Sequence, residues 1–128
     1  MKKQILVVDD NAAATVLYER VIGKVFNCAA VCFTDPQAAL EWASTNVPDF
    51  AVVDYRMPEM DGLEFIRRFR LLPDHSAIPC VVLTATKDPA VRQQSLQLGV
   101  VDFLTKPVNP DRLVDTIKRA LKRQGGFP

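Results

Sequence analysis

The stretch "AVVDYRMPEMDG", residues 51–62, sets a single carboxylate, Asp54, at the end of an apolar run and directly ahead of turn-forming residues. Asp9 and Asp10 follow the apolar run "ILVV" in the same way. Thr84 closes "VVLT" with Ala85 behind it, and Lys106 closes "DFLT" ahead of Pro107. Three carboxylates gathered at one place repel, and their pKa values rise unless a cation enters. One lysine cannot offset all three, but a hard divalent ion with oxygen ligands can, and Mg²⁺ fits because it takes one or two carboxylates and keeps several waters. Divalent cation, lysine, hydroxyl donor and central carboxylate together suit phosphoryl transfer. The central aspartate would be the nucleophile and would form an aspartyl phosphate. Neither G-x-x-x-x-G-K nor G-x-G-x-x-G occurs, so the chain has no evident nucleotide cradle and another molecule would have to bring the phosphoryl donor.

For these residues to meet, the elements that carry them must end on a common edge. "ILVV" is continuous and rich in β-branched residues, as suits a strand buried on both faces. In "NAAATVLYERVIGKVF" the residues Ala14, Leu17, Tyr18, Val21, Ile22 and Val25 recur at helical steps and predict an amphipathic helix. "CAAVCF" is a second strand; Thr34 or Asp35 then caps a helix with Pro36 in its first turn and Ala39, Leu40, Trp42 and Ala43 along it. "DFAVVD" is strand three. Helix three, "LEFIRRFRLL", points Leu63, Ile66 and Phe69 inward and Arg67, Arg68 and Arg70 outward, and Pro73 ends it. "IPCVVLTA" is strand four, and Asp88 with Pro89 opens a helix that Gly99 stops. "VVDFLTK" is strand five; Asn109 and Pro110 open helix five, with Leu113, Val114, Ile117, Ala120 and Leu121 as its core stripe and Gly125 and Gly126 at its end.

A helix between each pair of strands rules out antiparallel hairpins, and right-handed crossovers give a parallel sheet covered on both faces. The expectation is a three-layer, doubly wound (βα)5 domain over 1–124, with strand order 2-1-3-4-5 as the common arrangement. Residues 125–128 read as a tail or the start of a linker. In such sheets, sites form beyond the carboxyl ends of the strands. Asp9, Asp10, Asp54, Thr84 and Lys106 all fall there.

Composition excludes several other classes. The chain has 128 residues, 48% of them hydrophobic, enough for one domain with a real core. Sixteen basic residues against 15 acidic give a formal charge of +1, without the basic footprint of a direct nucleic-acid binder or a polybasic membrane segment. No apolar run reaches the roughly 20 residues of a membrane span. "MKKQILVVDD" runs straight into two aspartates and reads as a strand rather than a signal peptide, so the expected location is cytoplasmic. Cys28, Cys32 and Cys80 sit in or beside apolar segments without a C-x-x-C pair and read as small core residues. His75 stands apart in the loop-like "LPDHSAIP", too far off to complete a zinc site with them.

The motifs "ILVVDDN", "VVDYRMPEMDG", "VVLTA" and "DFLTKP", in this order and spacing, resemble the receiver domain of bacterial two-component response regulators, the CheY-like fold, over nearly the whole chain. The resemblance implies that Asp54 is the phosphoacceptor. It also implies that Asp10, Asp54 and the main-chain carbonyl of Arg56 hold Mg²⁺, or Mn²⁺ in its place, and that Asp9 helps position the ion. Thr84 would contact the phosphoryl group and Lys106 would pair with it, the bond before Pro107 being cis. Phe103 falls at an aromatic switch position. Arg56 and Thr86 lie at variable positions that influence the phosphoryl lifetime. Implied partners are the phosphohistidine of a sensor histidine kinase or a histidine phosphotransfer protein, and a downstream output protein or domain. A second copy of the chain would pair through the face formed by helix four, strand five and helix five.

Two other classes compete. An aspartate-nucleophile phosphatase would carry a second acid two residues after the nucleophile, where Arg56 stands. A phosphorylation-independent pseudo-receiver would lack the complete set Asp9, Asp10, Asp54, Thr84 and Lys106. The favoured expectation is a phosphoacceptor switch whose own acyl-phosphate hydrolysis acts as a timer, not a turnover enzyme.

Overall fold

In a computed structural model, residues 2–123 are described and form five alternating strands and helices. They are β1 (Lys3–Val8), α1 (Ala12–Gly23), β2 (Cys28–Phe33), α2 (Pro36–Ala43), β3 (Phe50–Asp54), α3 (Gly62–Arg70), β4 (Cys80–Thr84), α4 (Pro89–Gln97), β5 (Asp102–Thr105) and α5 (Pro110–Arg123). The strands form one parallel sheet in the order β2-β1-β3-β4-β5, as the sequence predicts. The assignment of Gly125 and Gly126 to the end of helix five lies outside the described residues. Among the described residues, no helix is long and apolar enough to cross a membrane.

Side chains alternate across a strand, so each central strand feeds two cores. Leu6, Val8, Ala51, Val53 and Val82 face α2, α3 and α4, where they meet Leu40, Leu63, Phe65, Phe69 and Val91. Ile5, Val7, Val52, Val81 and Leu83 face α1 and α5, against Tyr18, Ile22, Leu113, Ile117 and Leu121. This two-sided burial is why the strands read as unbroken apolar runs. Helix starts are fixed by short polar side chains: Asn11, Asp35, Asp61 and Asp88 each accept a backbone N–H from the first turn of the following helix. Asn109 does the same for α5, accepting from Asp111 N at 2.9 Å.

Several side chains lie elsewhere than periodicity predicts. Leu17 is 52% exposed, because the buried stripe of α1 is centred on Thr15, Tyr18 and Ile22 and the next residue along turns away from it. In α5 the buried position goes to Thr116, whose hydroxyl donates to Asp102 Oδ2 at 3.1 Å, while Val114 is only partly buried. Phe65 joins the α3 core fully buried. Arg70 does not project into solvent but folds back onto carbonyl oxygens. Cys28 and Cys80 are buried and Cys32 half-buried, all three as free thiols. Burial pushes the Cys80 thiol up to about 11, against the opposing charge of Arg70.

His75 lies in a loop but is buried. Its ring stands edge-on to Phe69, 4.9 Å between centroids. One ring nitrogen faces the carbonyl of Pro73 and the other that of Asn46, the latter at 3.1 Å. The imidazole therefore ties the α3–β4 connection to the end of α2. His75→Ala removes the ring contact and the imidazole's hydrogen bonding in this part-buried connection. It is expected to destabilise the domain by about 2–3 kcal/mol, read as a lower midpoint in urea.

Candidate functional site

β1, β3 and β4 end side by side, with Val8 in register with Val53 and Asp54 with Leu83. The residues at or just past these ends therefore share one edge. Asp9, Asp10, Asn11, Asp54, Arg56, Thr84, Ala85 and Lys106 line a single cleft of about 270 Å³ there. Thr86 and Phe103 do not line it. Phe103 is buried in the core beneath α4, with the guanidinium of Arg92 6.0 Å from its ring centroid.

The charges are arranged around one ammonium. Lys106 Nζ lies 2.9 Å from Asp54 Oδ1 and 3.5 Å from Asp9 Oδ2. Lys106 is the last residue before a cis peptide bond to Pro107, and its N–H donates to the carbonyl of Thr84 at 2.7 Å. Asp9 Oδ1 accepts from Asn11 N at 2.9 Å, but its buried Oδ2 accepts no hydrogen bond. Asp10 is exposed at the rim. Thr84 is buried, and its Oγ1 accepts from Thr86 N at 3.0 Å, which leaves the hydroxyl proton unassigned. Arg56 is exposed beside the cleft and makes no ion pair with the described residues.

Burial raises the Asp54 carboxyl above the ordinary aspartate value; the Lys106 hydrogen bond opposes this and Asp9 reinforces it. Burial alone would lower Lys106, but the hydrogen bond and charge of Asp54, with Asp9, outweigh it and raise the ammonium. Tyr18 is also pushed up, first by burial, with Lys106 opposing and the two acids adding to the rise. Sequence periodicity places Tyr18 only in the core stripe; its position in the field of the site comes from the packing of α1. Asn11, unlike Tyr18, lines the cleft, though it carries no charge. Its signal is the N-cap position immediately after the two aspartates.

A divalent cation fits this donor set. One oxygen from each of Asp9, Asp10 and Asp54 lies within 4.8 Å of the others. Asp9 Oδ2 is buried without a hydrogen bond, and a single lysine faces two of the three acids. Hard oxygen ligands of this kind suit Mg²⁺ or Mn²⁺.

The backbone behind Asp54 is tightly fitted. Gly62 opens α3 and donates its N–H to the carbonyl of Tyr55 at 2.8 Å. A Cβ at this position would stand 2.5 Å from the carbonyl oxygen of Asp54 and 3.0 Å from Cα of Tyr55. The glycine lets the helix start directly against the strand end, so the chain turns away and the Asp54 carboxylate stays at the cleft.

The chain belongs to the response regulator receiver domain family, whose model matches residues 5–118. It is 44% identical over 110 residues to the cyclic di-GMP phosphodiesterase response regulator RpfG of Xanthomonas campestris pv. campestris. That match takes in 85% of this chain and 29% of RpfG, so the chain spans less than a third of that relative. The chemotaxis protein CheY4 of Vibrio cholerae has the same fold, with a TM-score of 0.87 at 26% identity over 94% of this chain and 100% of that one. So does the receiver domain of the sensor histidine kinase PA1611 of Pseudomonas aeruginosa, with a TM-score of 0.84 at 25% identity over 95% of this chain and 99% of that one. The PA1611 receiver structure has a magnesium ion coordinated in its active-site cleft.

Two outcomes follow from this geometry. Gly62→Ala is expected to cost about 1–3 kcal/mol, because the clash is with backbone and not with a flexible side chain; thermal unfolding reads it. The Asp54 shift sets a pH dependence. A carboxyl raised in the folded state binds more protons folded than unfolded, so stability falls as pH rises from the unfolded value through the folded one. At neutral pH and with divalent ions chelated, Asp54→Asn is therefore expected to raise Tm. The advantage should vanish below the ordinary aspartate range, and equal Tm values at pH 7 would refute the assignment.

Proposed function

We propose that this chain is a phosphorylation-activated signalling receiver, with Asp54 accepting a phosphoryl group from the phosphohistidine of a sensor histidine kinase or a histidine phosphotransfer protein. The observation that carries this reading is the Lys106 ammonium set between Asp54 and the otherwise unbonded oxygen of Asp9. Lys106 occupies one oxygen of Asp54 and leaves the other as nucleophile. That oxygen attacks phosphorus, the phosphorus–nitrogen bond to the donor imidazole breaks, and the imidazole nitrogen leaves with the electron pair. Lys106 then pairs with a phosphoryl oxygen, and the free O–H of Thr84 donates to another. Asp9, Asp10, Asp54 and the main-chain carbonyl of Arg56 would hold Mg²⁺, which supplies positive charge against the phosphoryl oxygens.

The phosphoryl group adds charge and acceptor oxygens at the sheet edge and biases an existing equilibrium between two arrangements. Thr84 and Phe103 carry the change to the α4–β5–α5 face. The reader of that face is a downstream output protein or domain, or a second copy of the chain. Arg56 and Thr86, two residues beyond Asp54 and Thr84, set how long the group survives hydrolysis. The site works in the cytoplasm as a switch and does not turn over a substrate.

Mg²⁺ and acetyl phosphate are expected to add one phosphoryl group, and Asp54→Asn to abolish the addition, both read by intact mass. Unchanged labelling of the Asn variant would overturn the assignment of the phosphoacceptor. Free Mg²⁺ at tenfold its Kd is expected to stabilise the unphosphorylated protein by about 1.4 kcal/mol, and Asp10→Ala to remove that increment.

A further inference from the structure

α4 is held to the domain differently from its neighbours. α3 buries Leu63, Phe65, Ile66 and Phe69, whereas α4 buries only Val91 and Ser95. Ser95 uses its hydroxyl internally, donating to the carbonyl of Val91 at 2.8 Å. What fixes α4 lies mainly at its two ends.

Ahead of its first turn, three side-chain oxygens form a ladder, each accepting the N–H two residues further on. Thr84 Oγ1 accepts from Thr86 N at 3.0 Å, Thr86 Oγ1 from Asp88 N at 3.2 Å, and Asp88 Oδ1 from Ala90 N at 2.9 Å. The ladder starts on the hydroxyl that lines the cleft and ends in the N-cap of α4. At the other end stands Arg70, from the last turn of α3. Its Nε donates to Leu98 O at 2.8 Å and its Nη2 approaches Gly99 O at 3.4 Å. Its Nη1 donates to Ser76 O at 3.0 Å and Ile78 O at 2.9 Å. Leu98 and Gly99 close α4, Gly99 with φ +75°. No carboxylate among the described residues pairs with Arg70. Its planar fork of N–H groups instead joins α3, the α3–β4 connection and the carboxyl end of α4, where a cation is also favoured by the helix dipole.

We infer that Arg70 pins the carboxyl end of α4, so that a change at the Thr84–Thr86–Asp88 ladder makes the helix a lever that moves only at its amino end. The inference rests on the proposed function in one respect: a phosphoryl group on Asp54 is what draws the Thr84 hydroxyl away. As that hydroxyl turns, Thr86 N loses its acceptor and the first rung opens. Thr86 and Asp88 shift with it, and the amino end of α4 swings while Arg70 holds the carboxyl end. Arg92, near the moving end, carries the displacement to the Phe103 ring it faces. Arg70 is a positioning residue that turns a loop change into rotation of a helix rather than its fraying.

Amide hydrogen exchange resolved by residue tests this without a phosphodonor. Thr84→Val removes the first rung, and Thr86→Val removes the second at a distance from the cleft. Each is expected to speed exchange of the amides of residues 86–92 roughly tenfold, with those of 98–101 unchanged within about twofold. Arg70→Gln and Arg70→Lys, neither of which keeps the fork, are expected to speed exchange at 98–101 roughly tenfold. In either Arg70 background, Thr86→Val should then loosen both ends. Equal acceleration of both ends by the threonine variants alone, or unchanged protection at 98–101 in the arginine variants, would overturn the lever. Acetyl phosphate with Mg²⁺ separates the two readings. A gain in mass with equal change at both ends keeps the phosphoacceptor and overturns the lever. No gain in mass removes the phosphoacceptor, while the threonine and arginine variants still decide the lever.

Discussion

Lys106 holds its ammonium 2.9 Å from Asp54 and 3.5 Å from Asp9, and the architecture of the domain is what makes that pairing available. Two acids at neighbouring strand ends, each buried, would repel if left alone. The lysine reduces that penalty without cancelling it, as the upward shift of Asp54 shows. Asp9 Oδ2 faces the ammonium at 3.5 Å without a hydrogen bond, and exposed Asp10 makes no ion pair among the described residues. The acids outnumber the lysine, and one oxygen of each lies close enough to the others to suit a divalent cation. The site thus carries more negative charge than its own lysine balances.

Only a parallel sheet of this order brings the pieces together. β1 and β3 are neighbours, so Asp9 and Asp54 emerge side by side. β4 lies on the far side of β3 and supplies Thr84, and β5 beyond it delivers Lys106. The lysine must reach back across the end of β4, and the hydrogen bond from its N–H to the carbonyl of Thr84 anchors the segment from which it does so. The same edge is where the helices begin, so Asn11, Asp61 and Asp88 cap α1, α3 and α4 beside the charged residues. Asn11 serves both as a cap and as part of the cleft lining.

Most of this was legible in the sequence, for a definite reason. A strand buried on both faces has no use for a polar residue, so Asp9, Asp54 and Thr84 stand out at the ends of apolar runs. The βα alternation then puts those ends on one edge. What periodicity misses depends on contacts between elements distant in the chain. Leu17 and Tyr18 are adjacent on one helix, and only the packing of α1 decides that Tyr18 is buried in the field of the site. Arg70 follows two exposed arginines on α3, and nothing in its spacing shows that the carbonyls of Leu98 and Gly99 come within its reach. His75 reads as a loop residue and is a buried brace, because Asn46, its partner, lies 29 positions away.

The same distinction separates the parts of the domain that stay still from those able to move. α3 is anchored by four large apolar side chains and by a glycine seated against the end of β3. Displacing it would expose a large apolar area at roughly 25 cal/mol per Å² and disturb the end of β3 that carries Asp54. α4 buries one valine and one serine, and the ties at its ends are mainly hydrogen bonds worth on the order of 1 kcal/mol each. α4 therefore costs less to displace than α3. A switch of the proposed kind needs one element held this loosely beside another held firmly. Here the firm element, α3, provides the arginine that limits how the loose one moves.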